Sequence, residues 1–248
     1  MKLLIDAEYY LYRAAAGCEI EVECEPDDWI YVCRHGDAKA AFQDKIAELR
    51  EIAPDHEPVL AFGDRASFRY GVWPAYKANR RSYRRPAGYR HLTQWVSTVA
   101  ETRGWRCITA PGVEGDDVLG IHCLPGDIIA AQDKDLMTIP GLHLRDGEVF
   151  EVSELEADRS FYGQVLTGDS ADGYPGCPGI GAARAAAALD PCQSPSEMWQ
   201  VVLSLYGKAR LGERDAITQA RCARILRVGE YDHDAGTPLL WSPPVACV

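Results

Sequence analysis

Five separated segments of this chain bring carboxylates to the end of an apolar run or into a glycine-rich turn. Leu3-Leu4-Ile5 ends in Asp6, and Val59-Leu60-Ala61-Phe62 passes through Gly63 to Asp64. Pro111-Gly112-Val113 precedes Glu114-Gly115-Asp116-Asp117, and Ile128 to Gln132 runs into Asp133-Lys134-Asp135. Leu166-Thr167-Gly168 leads to Asp169 and Asp172. These nine carboxylates, gathered in one cleft, would repel one another unless divalent cations lay between them. The donors are hard oxygens, and none of the six histidines falls at His-x-His or His-x-x-x-His spacing. Mg2+ or Mn2+ therefore suits the set better than zinc. Two such ions about 4 Å apart can activate a water and stabilise a leaving oxygen in phosphodiester hydrolysis. Any single acid here also has a plainer reading as a solvated group or a helix cap, and Glu114 to Asp117 has that composition. It is the repetition over five segments that favours the metal.

Two further patterns point to a phosphate-bearing ligand. Residues 65–90 hold eight bases (Arg65, Arg69, Lys77, Arg80, Arg81, Arg84, Arg85, Arg90) and no acid, with Tyr70, Trp73, Tyr76, Tyr83 and Tyr89 among them. Cations for phosphates beside flat rings for bases are what a single nucleic-acid strand needs. The turn Gly176-Cys177-Pro178-Gly179-Ile180-Gly181 stands directly after Asp169 and Asp172. Backbone N–H groups of Gly176, Gly179 and Gly181 at a helix start could hold a duplex backbone without reading its sequence. The net charge of −11 argues against nucleic acid when taken alone. Local charge governs phosphate contact, however, and the 65–90 stretch is strongly positive.

The elements that must position these groups follow from periodicity. Short apolar runs near 2–6, 58–62, 105–108, 127–131 and 142–145 alternate with helical patterns near 8–16, 37–52, 88–102 and 115–123. That alternation predicts an α/β fold with a central, mostly parallel sheet flanked by helices, whose strand ends share one edge. Glu19, Glu21, Glu23 and Glu25 alternate with Ile20, Val22 and Cys24, which predicts a strand or hairpin with one acidic face. From about 150 the pattern turns helical, with candidates at 153–166, 181–189, 195–206 and 213–227 and an irregular tail after Tyr231. The expected division is therefore 1–150 for the core, with the basic segment at 65–90, and 151–248 for a helical lobe. Nine cysteines without a Cys-x-x-Cys pair read as free thiols, with Cys107, Cys123 and Cys222 in buried patterns. Cys18, Cys24, Cys33 and His35 match no compact zinc spacing. No apolar run reaches membrane-spanning length and no signal pattern opens the chain, so a cytoplasmic protein without membrane contact is expected.

These motifs together resemble the 5′-nucleases, the flap endonucleases and bacterial or phage 5′–3′ exonucleases. The resemblance runs over about residues 2–190 and is carried by Leu4-Ile5-Asp6, Phe62-Gly63-Asp64, Phe68-Arg69, Pro74-x-Tyr76-Lys77-Ala78-Asn79-Arg80, and Gly112-Val113-Glu114-Gly115-Asp116-Asp117. It continues in Asp133-Lys134-Asp135-Leu136, Thr167-Gly168-Asp169-Ser170-Ala171-Asp172 and Pro175 to Gly181. It implies a PIN-like core, a helical arch over 65–90 and a helix–three-turn–helix at about 160–190. It also implies Mg2+ or Mn2+ in two or more positions. Asp6, Asp64, Glu114 and Asp116 would hold the first ion. Asp117, Asp133, Asp135, Asp169 and Asp172 would hold the second group, with Asp116 bridging. Lys77 and Arg84 would contact the cleaved phosphate and Tyr76 would stack on a terminal base. Arg13, Arg69, Arg80 and Arg81 would contribute further DNA contacts, and the glycine turn would grip duplex backbone with a potassium ion.

The implied activity is metal-dependent cleavage near DNA 5′ ends, extending to RNA in RNA–DNA hybrids, by a free-standing monomer of phage or bacterial origin. The alternatives are a catalytically silent DNA-junction binder on the same scaffold and a PIN-like ribonuclease. Three departures stand out. Gly173 replaces the usual Asn, which would loosen its turn. Gln132 replaces Ser or Thr, and the acidic insert at 19–28 has no counterpart.

Overall fold

Apolar residues pointing to both faces of β1 (Lys2–Asp6) make it a central strand: Leu3 and Ile5 enter one core, Leu4 the other, all fully buried. Such continuous apolar runs are the mark of parallel strands covered on both sides. In this computed structural model, which describes residues 1–244 apart from the side chains of Arg81 and Ser82, the expected α/β architecture is present. The contact expected of Arg81 therefore lies outside the described residues.

The chain runs β1, α1 (Ala7–Gly17), β2 (Glu19–Glu25), β3 (Asp28–Cys33), α2 (His35–Ile52), β4 (Glu57–Phe62), α3 (Arg69–Val72) and α4 (Tyr89–Val99). It continues through β5 (Arg106–Thr109), α5 (Gly115–His122), β6 (Ile128–Ala130), β7 (Gly141–Arg145) and β8 (Glu148–Val152). The helices α6 (Glu154–Thr167), α7 (Ala182–Leu189), α8 (Pro195–Lys208) and α9 (Glu213–Ala223) follow, with a last small ribbon of β9 (Tyr231–Asp232) and β10 (Thr237–Pro238). The sheet order is β5-β4-β1-β6-β7-β8, parallel throughout except for the antiparallel edge strand β8. Because β1, β4 and β6 are parallel neighbours, Asp6, Asp64 and Asp133 all leave the sheet at the same edge.

One face of the sheet is covered by α1, α2 and α4, with Phe42, Ile46, Leu92 and Val96 buried against it. The other is covered by α5, whose Val118, Leu119 and Ile121 meet Leu4, Val59 and Ile129. The chain after α9 returns to this second core through Ile225, Leu226 and Tyr231. The approach is close: a Cβ on Gly120 would sit 2.0 Å from the Leu226 carbonyl oxygen. Helix α9 therefore stops at Ala223 rather than reaching 227, because the next residues hydrogen-bond to the core instead of to their own helix. Helices α6 to α9 enclose a third core around Phe161, Tyr162, Trp199 and Tyr206, which also takes in Tyr76 from the basic segment.

The acidic alternation forms the expected hairpin, β2 paired antiparallel with β3. Within 65–90, helical structure before the start of α4 at Tyr89 is confined to α3 and a 3₁₀ turn at Ala78–Ser82. Pro74 and Pro86 limit any longer helix there. Cys107 is exposed rather than buried, because β5 is the uncovered edge of the sheet.

Candidate active site

The parallel edge opens onto a cleft of about 730 Å3 lined by Asp6, Glu8, Asp64, Glu114, Asp116 and Asp133, with Lys77, Arg80 and Tyr89 across from them. A second, small cavity of about 30 Å3 lies behind it, bounded by Glu114, Asp116, Asp135 and Asp172. Glu114 and Asp116 face both spaces. The nine expected acids thus separate into a front group, a rear group with Asp169 beside it, and one that belongs to neither.

Local structure explains how each acid is held. Asp6 is the N-cap of α1 and accepts from the Tyr9 N–H at 3.1 Å. Asp133 caps the 3₁₀ turn at 134–138, accepting from the Asp135 N–H at 2.9 Å. Asp169 accepts from the N–H groups of Ala171 and Asp172 at 2.6 and 3.3 Å. Such caps use one oxygen of each carboxylate and leave the other available. Asp64 sits at the mouth, where the N–H of Gly112 at 2.9 Å, then those of Ala66 and Arg65, hold its carboxyl below its ordinary range.

The electrostatics are those of a site short of positive charge. Burial lifts the Asp6 carboxyl up to about 6, with Glu8 and Asp133 adding repulsion. Asp135 is also pushed up to about 6, by burial first and then by Asp133. Asp116 is driven well above the usual carboxylate range by burial, and Asp6, Asp133, Glu114 and Asp117 push in the same direction. Cations from the basic segment offset part of this. Lys77 Nζ lies 2.5 Å from Glu114 and 3.7 Å from Asp172, and Arg80 lies 2.5 Å from Asp172. Lys77 holds the left-handed conformation, φ +53°, fixed by its N–H donating to the Asp172 carbonyl at 2.7 Å. A lysine in that region signals a conformation imposed by its surroundings.

Several expected roles are corrected. Asp117 is not available as a metal ligand: it is fully buried, accepts two 2.7 Å hydrogen bonds from Arg69, and accepts from the N–H groups of Glu114 and Leu226 at 3.0 Å. Arg69 for the same reason does not reach DNA; it is 2% exposed and also donates to the carbonyls of Cys222 and Arg224. Tyr76 is 3% exposed, so it presents no ring to a base; its hydroxyl lies 2.8 Å from both Glu114 and Asp172. Arg84 is drawn away from the cleft by the hairpin, bound to Glu19 at 2.8 and 2.5 Å and stacked 3.8 Å from the Tyr31 ring centroid. Arg13 lines a separate hollow with Lys45 on the far side of Tyr9.

Gly173 does not loosen its turn. Its φ is +75°, its carbonyl accepts from Trp73 Nε1 at 2.9 Å, and a Cβ there would be 3.0 Å from the Ala75 carbonyl. The glycine turn itself links α6 to α7, with Gly176 and Gly179 at positive φ and Gly181 as the N-cap. Buried Gly176 donates to Gln219 Oε1 at 2.9 Å, while Gly179 and Gly181 are exposed. Two residues escaped the sequence reading. Glu8 accepts from the Gly63 N–H and the Tyr89 hydroxyl, each at 3.2 Å, and its Asp6-x-Glu8 spacing was the available signal. Gln164 donates to Asp135 at 2.7 Å, and nothing in its helical context marked it.

Divalent cations fit this donor set chemically: oxygens only, partly desolvated, with too little opposing charge. Among the described residues no three Asp, Glu, His or Cys side chains are gathered tightly enough to close on one ion as they stand. The reason is visible in Lys77, Tyr76 and Arg80, which hold Glu114 and Asp172 by direct hydrogen bonds. Displacing those partners would free the carboxylates.

Comparison with known proteins shows what this chain is similar to. A family model for the 5′-3′ exonuclease N-terminal resolvase-like domain matches residues 1–158. An exodeoxyribonuclease of Enterobacteria phage T3 is 29% identical, the match covering 97% of this chain and 92% of that protein. An exonuclease of Escherichia phage T7 is also 29% identical, over 97% of this chain and 93% of its own. Among solved structures, T5 5′-exonuclease with bound zinc ions superposes with a TM-score of 0.60 at 14% identity, covering 90% of this chain and 93% of that one. The T5 D15 protein co-crystallised with metal ions gives 0.59 at 16%, covering 89% and 90%. At such identities the likeness is one of fold.

Proposed function

Because this chain belongs to the 5′-3′ exonuclease family, we propose that its acid cleft binds two or more Mg2+ or Mn2+ ions and hydrolyses phosphodiester bonds near DNA 5′ ends, as an exonuclease and on flaps. The observation that carries this reading is Asp116. It faces both cavities, and its burial and its acidic neighbours both oppose its charge, which a divalent cation between them would offset.

When bound, the ions would supply Lewis-acid stabilisation and an activated water. Asp6, Glu114, Asp116 and Asp133 would hold the front position, and Asp135 and Asp172, with Asp169 alongside, the rear one. Lys77 and Arg80 are the residues that change partner. In the free protein they neutralise Glu114 and Asp172. Were Glu114 and Asp172 engaged by ions, Lys77 and Arg80 would be free to pair with the phosphate being cut. The α6–α7 turn, with exposed Gly179 and Gly181, would grip duplex backbone. Backbone contact of this kind tells RNA from DNA poorly, so RNA in a hybrid is an expected substrate. A monomer suffices, since every group named comes from one chain.

The test is cleavage of matched flap, nicked, blunt, hybrid and single-stranded RNA substrates with and without Mg2+. Metal-dependent cleavage near DNA 5′ ends, strongest on duplexes carrying a 5′ end, is expected. Cutting of single-stranded RNA alone would favour the ribonuclease reading. Tight junction binding with every substrate left intact would favour the silent binder.

A further inference from the structure

A groove of about 870 Å3 runs from the acid cleft along α4 to the edge strand β5. Glu8, Gly63, Asp64, Arg65, Arg85 and Tyr89 line both spaces, so the two are continuous. A strand whose phosphate lay on the acids could pass directly into the groove. Its volume is that of a small-ligand site.

The groove has two unlike ends. Near the cleft are the exposed arginines Arg65, Arg85 and Arg90. Among the described residues these three form no ion pair, whereas Arg69, Lys77, Arg80 and Arg84 of the same segment all do. The Arg85 guanidinium lies 5.1 Å from the Tyr89 ring centroid, in the range for a cation resting on an aromatic face. The far end is walled by Ala100, Trp105, Cys107 and Ile108, with Glu101 beside them. Unpaired guanidinium groups call for an anion, and the apolar wall calls for a flat uncharged body. A second anion at the far end would meet Glu101.

We propose that this groove receives the 5′-terminal nucleotide of the strand being cut, with its terminal 5′-phosphate on Arg65, Arg85 and Arg90 and its base against Cys107 and Ile108. The proposal rests on the nuclease reading of the adjoining acids. It makes the protein a reader of the 5′ end's own chemistry: a phosphorylated terminus fills the arginine cluster, and a terminal hydroxyl leaves it unfilled.

The test compares kcat/KM for one duplex bearing either a 5′-phosphate or a 5′-hydroxyl. Charge-assisted hydrogen bonds of this kind predict a preference for the phosphate of about tenfold or more. Arg90→Glu, an exposed position on α4, should collapse that ratio toward one. Arg106→Glu makes the same charge change on β5 outside the groove and should leave the ratio as it is. A wild-type ratio near one, or a ratio that survives Arg90→Glu, overturns the proposal. Binding of a fluorescent trinucleotide with and without its 5′-phosphate, measured in the absence of Mg2+, separates the two readings. Phosphate-dependent binding that is lost in Arg90→Glu, in a protein that cuts nothing, supports the groove and defeats the nuclease assignment. Cleavage with no phosphate effect in either assay defeats the groove alone.

Discussion

Asp116→Asn removes cleavage while making the metal-free protein more stable. The carboxylate faces both cavities and is opposed by burial and by Asp6, Asp133 and Glu114. Loss of one electrostatic contact in an active site costs about 10²–10³ in rate. A group shared between two ion positions should cost at least as much, so a fall of about 10³ or more is expected. Amide for carboxylate keeps the shape and deletes the repelled charge, so the thermal midpoint without metal should rise. Sites that give up stability for activity commonly behave this way. Turnover assays and thermal melts on the same purified variant check both halves. Cleavage within tenfold of wild type would remove Asp116 from the chemistry, and a lowered midpoint would show that its charge is compensated by something other than metal.

The second large effect falls on stability. Arg69→Met leaves Asp117 as an uncompensated charge at 0% exposure, where it had accepted two 2.7 Å hydrogen bonds. It also strips the Cys222 and Arg224 carbonyls of their donor. Breaking one side of a buried ion pair costs about 3–5 kcal/mol. Because Arg69 ties α3 to α5 and to the end of α9, the loss should loosen the joint between the acid helix and the C-terminal segment. Equilibrium urea unfolding should show the reduced free energy. The double variant Arg69→Met/Asp117→Leu should recover part of it, since two apolar side chains replace a pair that required costly desolvation. A single-variant loss under about 1 kcal/mol would contradict the role given to this pair.

The contrast between Asp116 and Asp117 shows how far the residues could be interpreted without coordinates. Strand-end acids were legible because apolar runs and parallel order fix where a strand ends, and Asp6, Asp64 and Asp133 do leave one sheet edge. Alternation over 19–25 made an extended segment legible, and pairing with β3 shows it to be one arm of a hairpin. The division of labour between adjacent acids was not, because it depends on which carboxylate meets a partner distant in sequence. A local signal did exist: Glu114 and Asp117 stand three apart at a helix start, the spacing of a capping box, and the Asp117 carboxylate does accept from the Glu114 N–H at 3.0 Å. The basic segment misled by its count. Eight bases looked like one DNA-facing surface, yet Arg69, Lys77, Arg80 and Arg84 are committed to Asp117, Glu114, Asp172 and Glu19. Each of those partners lies at least 37 residues away in the chain, beyond the reach of any local pattern. Among the described residues, those of the segment without an ion pair, Arg65, Arg85 and Arg90, are fewer and line the groove that adjoins the cleft.

The central claim is that carboxylates from four separated segments form one divalent-ion site acting on a 5′ end. It is tested most directly by following label release from a duplex labelled at its 5′ terminus, and separately at its 3′ terminus, as Mg2+ is titrated from zero. Release of the 5′ label as short products, absent without metal, rising with Mg2+ and abolished by chelation, is the predicted result. Release that persists under chelation, or a 5′ label that stays intact at saturating Mg2+ and Mn2+, would contradict it.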